Sequence, residues 1–134
     1  MSTYINDLAQ ADHGAQATPA TTESFAVGEC AFDATVTEAE IIPSGALTAS
    51  DATNRTFTLR NKGATGAGTT VIATLTTNLA GGSWVANDAI LMALSGTPGN
   101  LNVAAGDVLA VDETVASTGV AHPAMQVTVR GTRR

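Results

Sequence analysis

Hydrophobic and polar residues alternate over many short stretches of this chain, which is the pattern of β-strands with one buried face. The clearest example is 56–60, where we expect Phe57 and Leu59 to face the core and Thr58 and Arg60 to face solvent. Turns rich in glycine or proline separate such stretches, and no window has the spacing of a long amphipathic helix. The pattern predicts about eight short strands in an antiparallel β-sandwich.

Two of the predicted strands depart from simple alternation. In residues 32–42 the alternation slips around 37–39, which predicts a β-bulge. Residues 89–94 are apolar on both faces, which predicts a central strand covered on both sides. Residues 125–130 alternate again and form the strand that closes the domain.

Residues 1–22 differ from the rest of the chain. They contain few large apolar side chains, and Gly14 and Pro19 exclude a long helix. We therefore divide the chain into an extended N-terminal arm, 1–22, and a β-sandwich domain, 23–134. The arm is expected either to become ordered on a partner or to be a flexible terminus.

Composition and charge narrow the possible functions. The net charge of -6 and the pI near 4.5 argue against a nucleic-acid partner, because phosphate binding needs a basic surface. Arg130, Arg133 and Arg134 lie together near the C-terminus, where we expect them to be solvated or to contact an acidic protein surface.

No segment approaches the roughly 20 apolar residues of a membrane span, and the first residues lack the pattern of a signal peptide. We expect synthesis in the cytoplasm and no membrane partner.

The sequence contains no recognisable catalytic, cofactor or metal motif. The glycine-rich loop 61–70 has Lys62 before its glycines and is followed by a β-branched run, whereas a phosphate-binding loop leads into a helix. His13 and His122 are the only histidines, and they are far apart in the sequence. Because a zinc site needs more ligands than one isolated histidine provides, we predict no metal site and no cofactor.

Cysteine and aromatic residues point to packing, not to chemistry. Cys30 is the only cysteine and lies beside apolar residues, so we expect a small core residue. Trp84 follows a glycine-rich loop and is expected to cap the core, with an exposed binding role as the alternative. A carbohydrate-cleaving cleft would need aromatic platforms beside its two acids, and only Trp84 and Tyr4 are free for that role. The sequence therefore predicts a protein that is not an enzyme.

Four segments of the chain resemble the single-domain jelly-roll decoration (cement) proteins of tailed-phage capsids, especially those of phages that infect actinobacteria. They are 53–63 (TNRTFTLRNKG), 66–70 (GAGTT), 104–111 (AAGDVLAV) and 118–123 (TGVAHP). The resemblance spans about residues 23–131 and rests on turn and core residues.

This resemblance implies a jelly-roll sandwich that sits as a homotrimer on the outer surface of a capsid, at capsomer junctions, and stabilises the shell. The partners would be the major capsid protein and further copies of this chain, and the mature location would be the virion. We predict Tyr4, Ile5 and Leu8 as capsid contacts, because apolar side chains on a mobile arm are typical of a docking element.

Three other functions remain as alternatives. A head-fibre or tail-tube subunit would share this composition, although a tail tube should have a long hairpin loop. A carbohydrate-binding or adhesive module would need exposed aromatic residues or a calcium site. An enzyme on a jelly-roll scaffold, such as a cupin, would need clustered histidine and acidic metal ligands, and the two histidines are distant in the sequence.

Overall fold

The computed structural model describes residues 5–134, which form ten β-strands and one 3₁₀ turn, Pro98–Leu101. No helix among these residues is long and apolar enough to span a membrane. The strands are β1 (Ile5–His13), β2 (Ser24–Glu29), β3 (Ala34–Pro43), β4 (Asn54–Asn61), β5 (Thr70–Thr76), β6 (Ile90–Leu91), β7 (Ala93–Leu94), β8 (Asn102–Val103), β9 (Val108–Ala116) and β10 (Met125–Arg133).

The strands form two antiparallel sheets that pack face to face. Sheet I has the order β1-β10-β3-β6, with β8 also paired to β3, and sheet II has the order β2-β9-β4-β5-β7. The chain passes from one sheet to the other at every step except the hairpin between β4 and β5. The predicted all-β sandwich is confirmed.

The core lies between the sheets and contains the predicted inward side chains, whereas Thr58, predicted to face solvent, is only 8% exposed because β4 lies inside sheet II between β9 and β5. Phe57 and Leu59 of β4 are fully buried, as are Val127 and Val129 of β10. Trp84 is only 2% exposed, and its ring centroid lies 5.4 Å from that of Phe57. Each large apolar side chain buried in this way contributes roughly 1.5–3 kcal/mol to folding. The prediction that Trp84 caps the core is confirmed.

Cys30 is a core residue, as predicted, and is 1% exposed. Burial raises the pKa of its thiol to about 11, and the nearby carboxylates of Asp107 and Glu29 add to this effect. The thiol is therefore protonated at neutral pH and is a poor nucleophile.

The β-bulge predicted around residues 37–39 is present in β3. Arg130 of β10 pairs with Glu38, whereas the next residue, Gly131, pairs with Val36, so that Thr37 is the extra residue. A Cβ atom on Gly131 would lie 2.3 Å from the carbonyl oxygen of Thr35. Glycine is therefore what allows the two backbones to approach at the bulge.

The prediction of one central strand over residues 89–94 is wrong. β6 pairs with β3 at the edge of sheet I, and β7 pairs with β5 at the edge of sheet II. Met92, between them, is 4% exposed and donates its backbone N–H to the carbonyl of Ala39, whereas Leu91 is 63% exposed. The run is apolar because it crosses from one sheet to the other at the edge of the core.

The structure also differs from the expectation of an arm separate from the sandwich. Residues 5–13 are β1, which pairs with β10 from Ile5 to His13. Leu8 is 7% exposed and packs in the core with Ala9. The predicted contact Tyr4 lies outside the described residues. Backbone pairing with the last strand, which composition does not reveal, makes 5–13 part of the domain.

Residues 14–22 continue along the end of the sandwich. Gln16 and His122 exchange two backbone hydrogen bonds of 3.0 Å. The loop 117–124 approaches Pro19 so closely that a Cβ atom on Gly119 would lie 2.2 Å from its carbonyl oxygen. Residues 5–22 therefore belong to the same fold as the sandwich, and the structure shows no domain boundary after residue 22.

We predict that Gly119→Ala destabilises the protein by about 2–4 kcal/mol, since the new methyl group meets the Pro19 carbonyl and the backbone has a φ of +69°. Gly63→Ala is the matched control, because Gly63 has a φ of +68° with open space around it. The control should cost only about 1 kcal/mol. Urea unfolding of both variants measures the difference, and equal losses would show that residue 19 is not packed against this loop.

Candidate functional site

Five polar side chains lie together between the two sheets, and we call this group the polar centre. It consists of His13, Glu23, Arg55, Glu113 and His122. His13 ends β1 of sheet I, whereas Arg55 in β4 and Glu113 in β9 belong to sheet II. Glu23 directly precedes β2, and His122 lies in the loop before β10. The antiparallel pairing of the first and last strands brings His13 close to His122.

Arg55 is fully buried, and its guanidinium group is held by four oxygen atoms. It donates to Oε1 of Glu113 at 2.7 Å and to the carbonyl oxygens of Thr21 at 2.7 Å, Pro19 at 2.9 Å and Val120 at 3.0 Å. A planar, permanently charged group with several donors suits such a crowded site. Arg55 thus ties residues 14–22 and the loop before β10 to sheet II.

Glu113 is the buried partner of this cation. Burial alone would raise the pKa of its carboxyl group, but His122 and the Arg55 guanidinium outweigh burial and hold this pKa below its ordinary value. Glu113 is therefore a carboxylate at neutral pH. Its Oε1 receives the Arg55 hydrogen bond, whereas its Oε2 faces His13 at 3.4 Å.

His122 is oriented by a contact outside the centre. Its side chain is fully buried, and Nδ1 lies 2.8 Å from the carbonyl oxygen of Pro123. Because a carbonyl oxygen only accepts, Nδ1 carries a hydrogen. Nε2 then faces the centre and lies 3.3 Å from Oε1 of Glu113.

His13 and Glu23 complete the centre. The His13 ring stacks on Phe25 with 3.8 Å between the ring centroids, and its Nε2 lies 3.4 Å from Oε2 of Glu23. The other oxygen of Glu23 accepts a hydrogen bond of 2.5 Å from the side-chain amide of Gln16. Packing and hydrogen bonds outside the centre therefore position both side chains.

The centre contains buried polar atoms that lack a hydrogen-bond partner among the described residues. They are Nε2 of His13, Oε2 of Glu113 and Nε2 of His122. One ligand atom from each of His13, Glu23, Glu113 and His122 lies within 4.8 Å of the others. These four residues are the ones that have the chemistry to hold a metal ion.

The prediction that the two histidines are too distant for a metal cluster is wrong in its premise. It relied on separation in the sequence, whereas β1 pairs with β10 so that His13 lies opposite Met125, three residues after His122. To predict this cluster from the sequence, one would have to know that the first strand pairs with the last.

A second candidate is a pair of connections, 44–53 and 77–89, which we call the loop platform. Leu47 and Trp84 exchange two backbone hydrogen bonds of 3.2 and 2.8 Å, and Asp51 accepts one of 2.9 Å from the N–H of Leu79. Leu79 and Val85 nevertheless remain 64% and 61% exposed. The loop platform therefore exposes large apolar side chains on a backbone that is held by hydrogen bonds between its two loops.

The predicted capsid contacts have different locations in the structure. Ile5, at the start of β1, is 62% exposed. Leu8 is buried against its own core, where its Cδ1 lies near Gly131, and is not available to a partner.

Comparisons with protein-family models, curated proteins and solved structures gave no match.

We predict that Arg55→Met lowers the free energy of unfolding by about 3–5 kcal/mol, because Glu113 would remain buried and charged without its cation. Arg60→Met is the control on the same strand, since the ion pair of Arg60 with Asp112 is 30% and 26% exposed at its two side chains. That loss should stay below about 1 kcal/mol.

Urea unfolding at pH 7 measures both variants of this pair. The double variant Arg55→Met/Glu113→Gln should recover part of the loss, because the uncompensated charge is removed along with the cation. Equal losses for Arg55→Met and Arg60→Met would contradict the assignment of Arg55 and Glu113 as a buried pair.

Proposed function

We propose that this chain is a structural virion protein that binds the outer surface of a phage capsid and stabilises the shell. The observation that carries the proposal is the loop platform, where Leu79 and Val85 stay exposed although their loop is hydrogen-bonded to a second loop. Exposed apolar side chains on a preorganised surface favour docking to a large partner, because little conformational entropy is lost on binding.

The strand order supports the jelly-roll part of this proposal. Strands β1, β10, β3 and β6 are neighbours in sheet I, and β2, β9, β4 and β5 are neighbours in sheet II. This is the order expected when an antiparallel ribbon is wrapped into two interlocked Greek keys. The loop 62–69 between β4 and β5 is short, which disfavours the tail-tube alternative with its long hairpin loop.

Two of the four segments that resemble decoration proteins, 53–63 and 104–111, are neighbours in the fold. β4 contains most of 53–63 and pairs with β9, which contains the end of 104–111. The turns are joined as well, since the side-chain amide of Asn61 donates to Asp107 at 2.8 Å. These two segments thus pack as one structural unit, which supports a shared fold with that family.

A homotrimer suits this role on physical grounds. Three weak contacts made together gain effective concentration, so that each subunit needs only modest affinity. A ligand that binds only the assembled shell stabilises that shell by mass action. The carbohydrate-binding alternative is weakened because Trp84 is buried and is not available as a sugar platform.

We predict that the untagged protein is a trimer by size-exclusion chromatography with light scattering, and that it co-elutes with emptied, expanded capsids of tailed actinobacterial phages that lack their own decoration protein. Leu79→Ser/Val85→Ser should weaken capsid binding about tenfold or more, as expected when central apolar anchors are lost. Leu91→Ser is the matched control, because Leu91 is 63% exposed on β6, outside the platform.

The outcomes separate the parts of this proposal. A monomer that ignores every capsid in the panel would contradict the function itself. Capsid binding that survives the double variant but is lost in Ile5→Ser would move the contact surface from the platform to the start of β1. Deletion of residues 1–22 is not a clean test, because it removes β1 and its buried residues Leu8 and Ala9.

A further inference from the structure

We propose that the polar centre is a structural site for a divalent transition-metal ion, Zn²⁺ in the first place, with His13, Glu23, Glu113 and His122 as its four ligands. This inference is independent of capsid binding. It starts from three buried atoms that have no hydrogen-bond partner within residues 5–134, Nε2 of His13, Oε2 of Glu113 and Nε2 of His122. Buried polar groups in folded proteins almost always have a partner, and a bound ion is one way to supply it.

Two of the distances between ligand atoms fit a tetrahedral ion. Nε2 of His13 lies 3.4 Å from Oε2 of both Glu23 and Glu113, and Nε2 of His122 lies 3.3 Å from Oε1 of Glu113. Ligands bound to zinc at about 2.0–2.1 Å are about 3.3–3.4 Å apart at tetrahedral angles. His13 and the Oε2 atoms of both glutamates therefore already have this spacing, whereas His122 approaches the other oxygen of Glu113. One ligand atom from each of the four residues lies within 4.8 Å of the others, so that a small shift would bring His122 into the same sphere.

The surroundings of the ligands have the organisation of a metal site. Histidine ligands usually donate their other ring N–H to an oxygen, as His122 does to the carbonyl of Pro123. Each carboxylate has one oxygen held from outside, that of Glu23 by Gln16 and that of Glu113 by Arg55. This leaves one oxygen of each carboxylate, Oε2, directed at His13.

Charge favours a cation at this position. The centre contains two acidic side chains, Glu23 and Glu113, and one guanidinium group, that of Arg55. Glu113 and His122 have fully buried side chains, where an unbalanced charge is costly. A divalent ion bound by the free carboxylate oxygens would place positive charge between the two acidic side chains, which a water molecule does not.

The donor set indicates which ion is bound. Two imidazole nitrogens with two carboxylate oxygens suit zinc and its neighbours in the first transition series, whereas Ca²⁺ and Mg²⁺ prefer oxygen ligands alone. Four protein ligands close the coordination sphere, which is the property of a structural and not of a catalytic zinc site. The ion would connect β1 of sheet I to β9 of sheet II and hold the loop 117–124 against both.

The test uses the full, untagged chain after treatment with a chelator. Isothermal titration with Zn²⁺ should give one ion per chain with a Kd in the micromolar range or tighter, and Co²⁺ should give the strong visible absorption of a tetrahedral complex. A Zn²⁺ concentration of about 100 times Kd should raise the midpoint of thermal unfolding by roughly 5–10 °C. Mg²⁺ should leave the midpoint unchanged.

Glu23→Gln and His13→Gln should each weaken Zn²⁺ binding by at least about 10–100-fold. Glu23 is partly exposed, so Glu23→Gln should leave the fold intact, which circular dichroism of the metal-free protein checks. The control is Glu29→Gln, an exposed glutamate at the other end of β2, which should bind Zn²⁺ as the unmodified chain does.

Two results would overturn the inference. One is Zn²⁺ binding that persists unchanged in both ligand variants, because the ion would then bind elsewhere. The other is the absence of stoichiometric binding, with nitrogen NMR shifts that show His13 doubly protonated at pH 7. In that case a proton on His13, shared with the two carboxylates at 3.4 Å, would balance the charge.

Discussion

The ion pair between Arg55 and Glu113 is the contact on which one end of the sandwich depends. Its 2.7 Å hydrogen bond lies where neither side chain is exposed, so each charge is stable only while the other is present. The remaining donors of Arg55 hold carbonyl groups of Pro19, Thr21 and Val120. Two irregular segments, which have no sheet of their own, thereby acquire fixed positions.

The same arginine also connects this end to the loop platform. Its backbone carbonyl accepts from the N–H of Thr77, and its backbone N–H donates to the hydroxyl of Thr77, both at 2.9 Å. Phe57 makes a second connection, because its ring lies 5.4 Å from Trp84 of the platform and 5.6 Å from His122 of the polar centre. Ionic, aromatic and backbone contacts thus form one continuous network.

Local patterning was sufficient to predict the strands but not their partners. The alternation in β4 correctly assigned Phe57 and Leu59 to the core, because side-chain direction in a strand is set by its period of two. The same pattern says nothing about which strands are neighbours. For that reason residues 89–94, with Met92 as their one deeply buried side chain, looked like a single central strand although they cross between the sheets.

The polar centre escaped prediction for a related reason. Its four candidate metal ligands come from β1, β9 and two loops, and the pairing of β1 with β10 brings His13 and His122 together. Residues 14–22 likewise look unable to order themselves, because their composition lacks large apolar groups. Their order comes from backbone carbonyls bound to Arg55, an interaction that hydrophobic patterning does not register.

Rigidity at this end of the sandwich bears directly on how such a domain would bind a large surface. A docking loop that is ordered before contact loses little conformational entropy on binding, so a few apolar side chains suffice for useful affinity. The platform loops are bonded to each other at Leu47 and Trp84, and Thr77 anchors them to Arg55. The backbone of Arg55 thus anchors the platform at Thr77, while its side chain anchors residues 14–22 and the loop before β10, so that one buried residue fixes both parts of the structure.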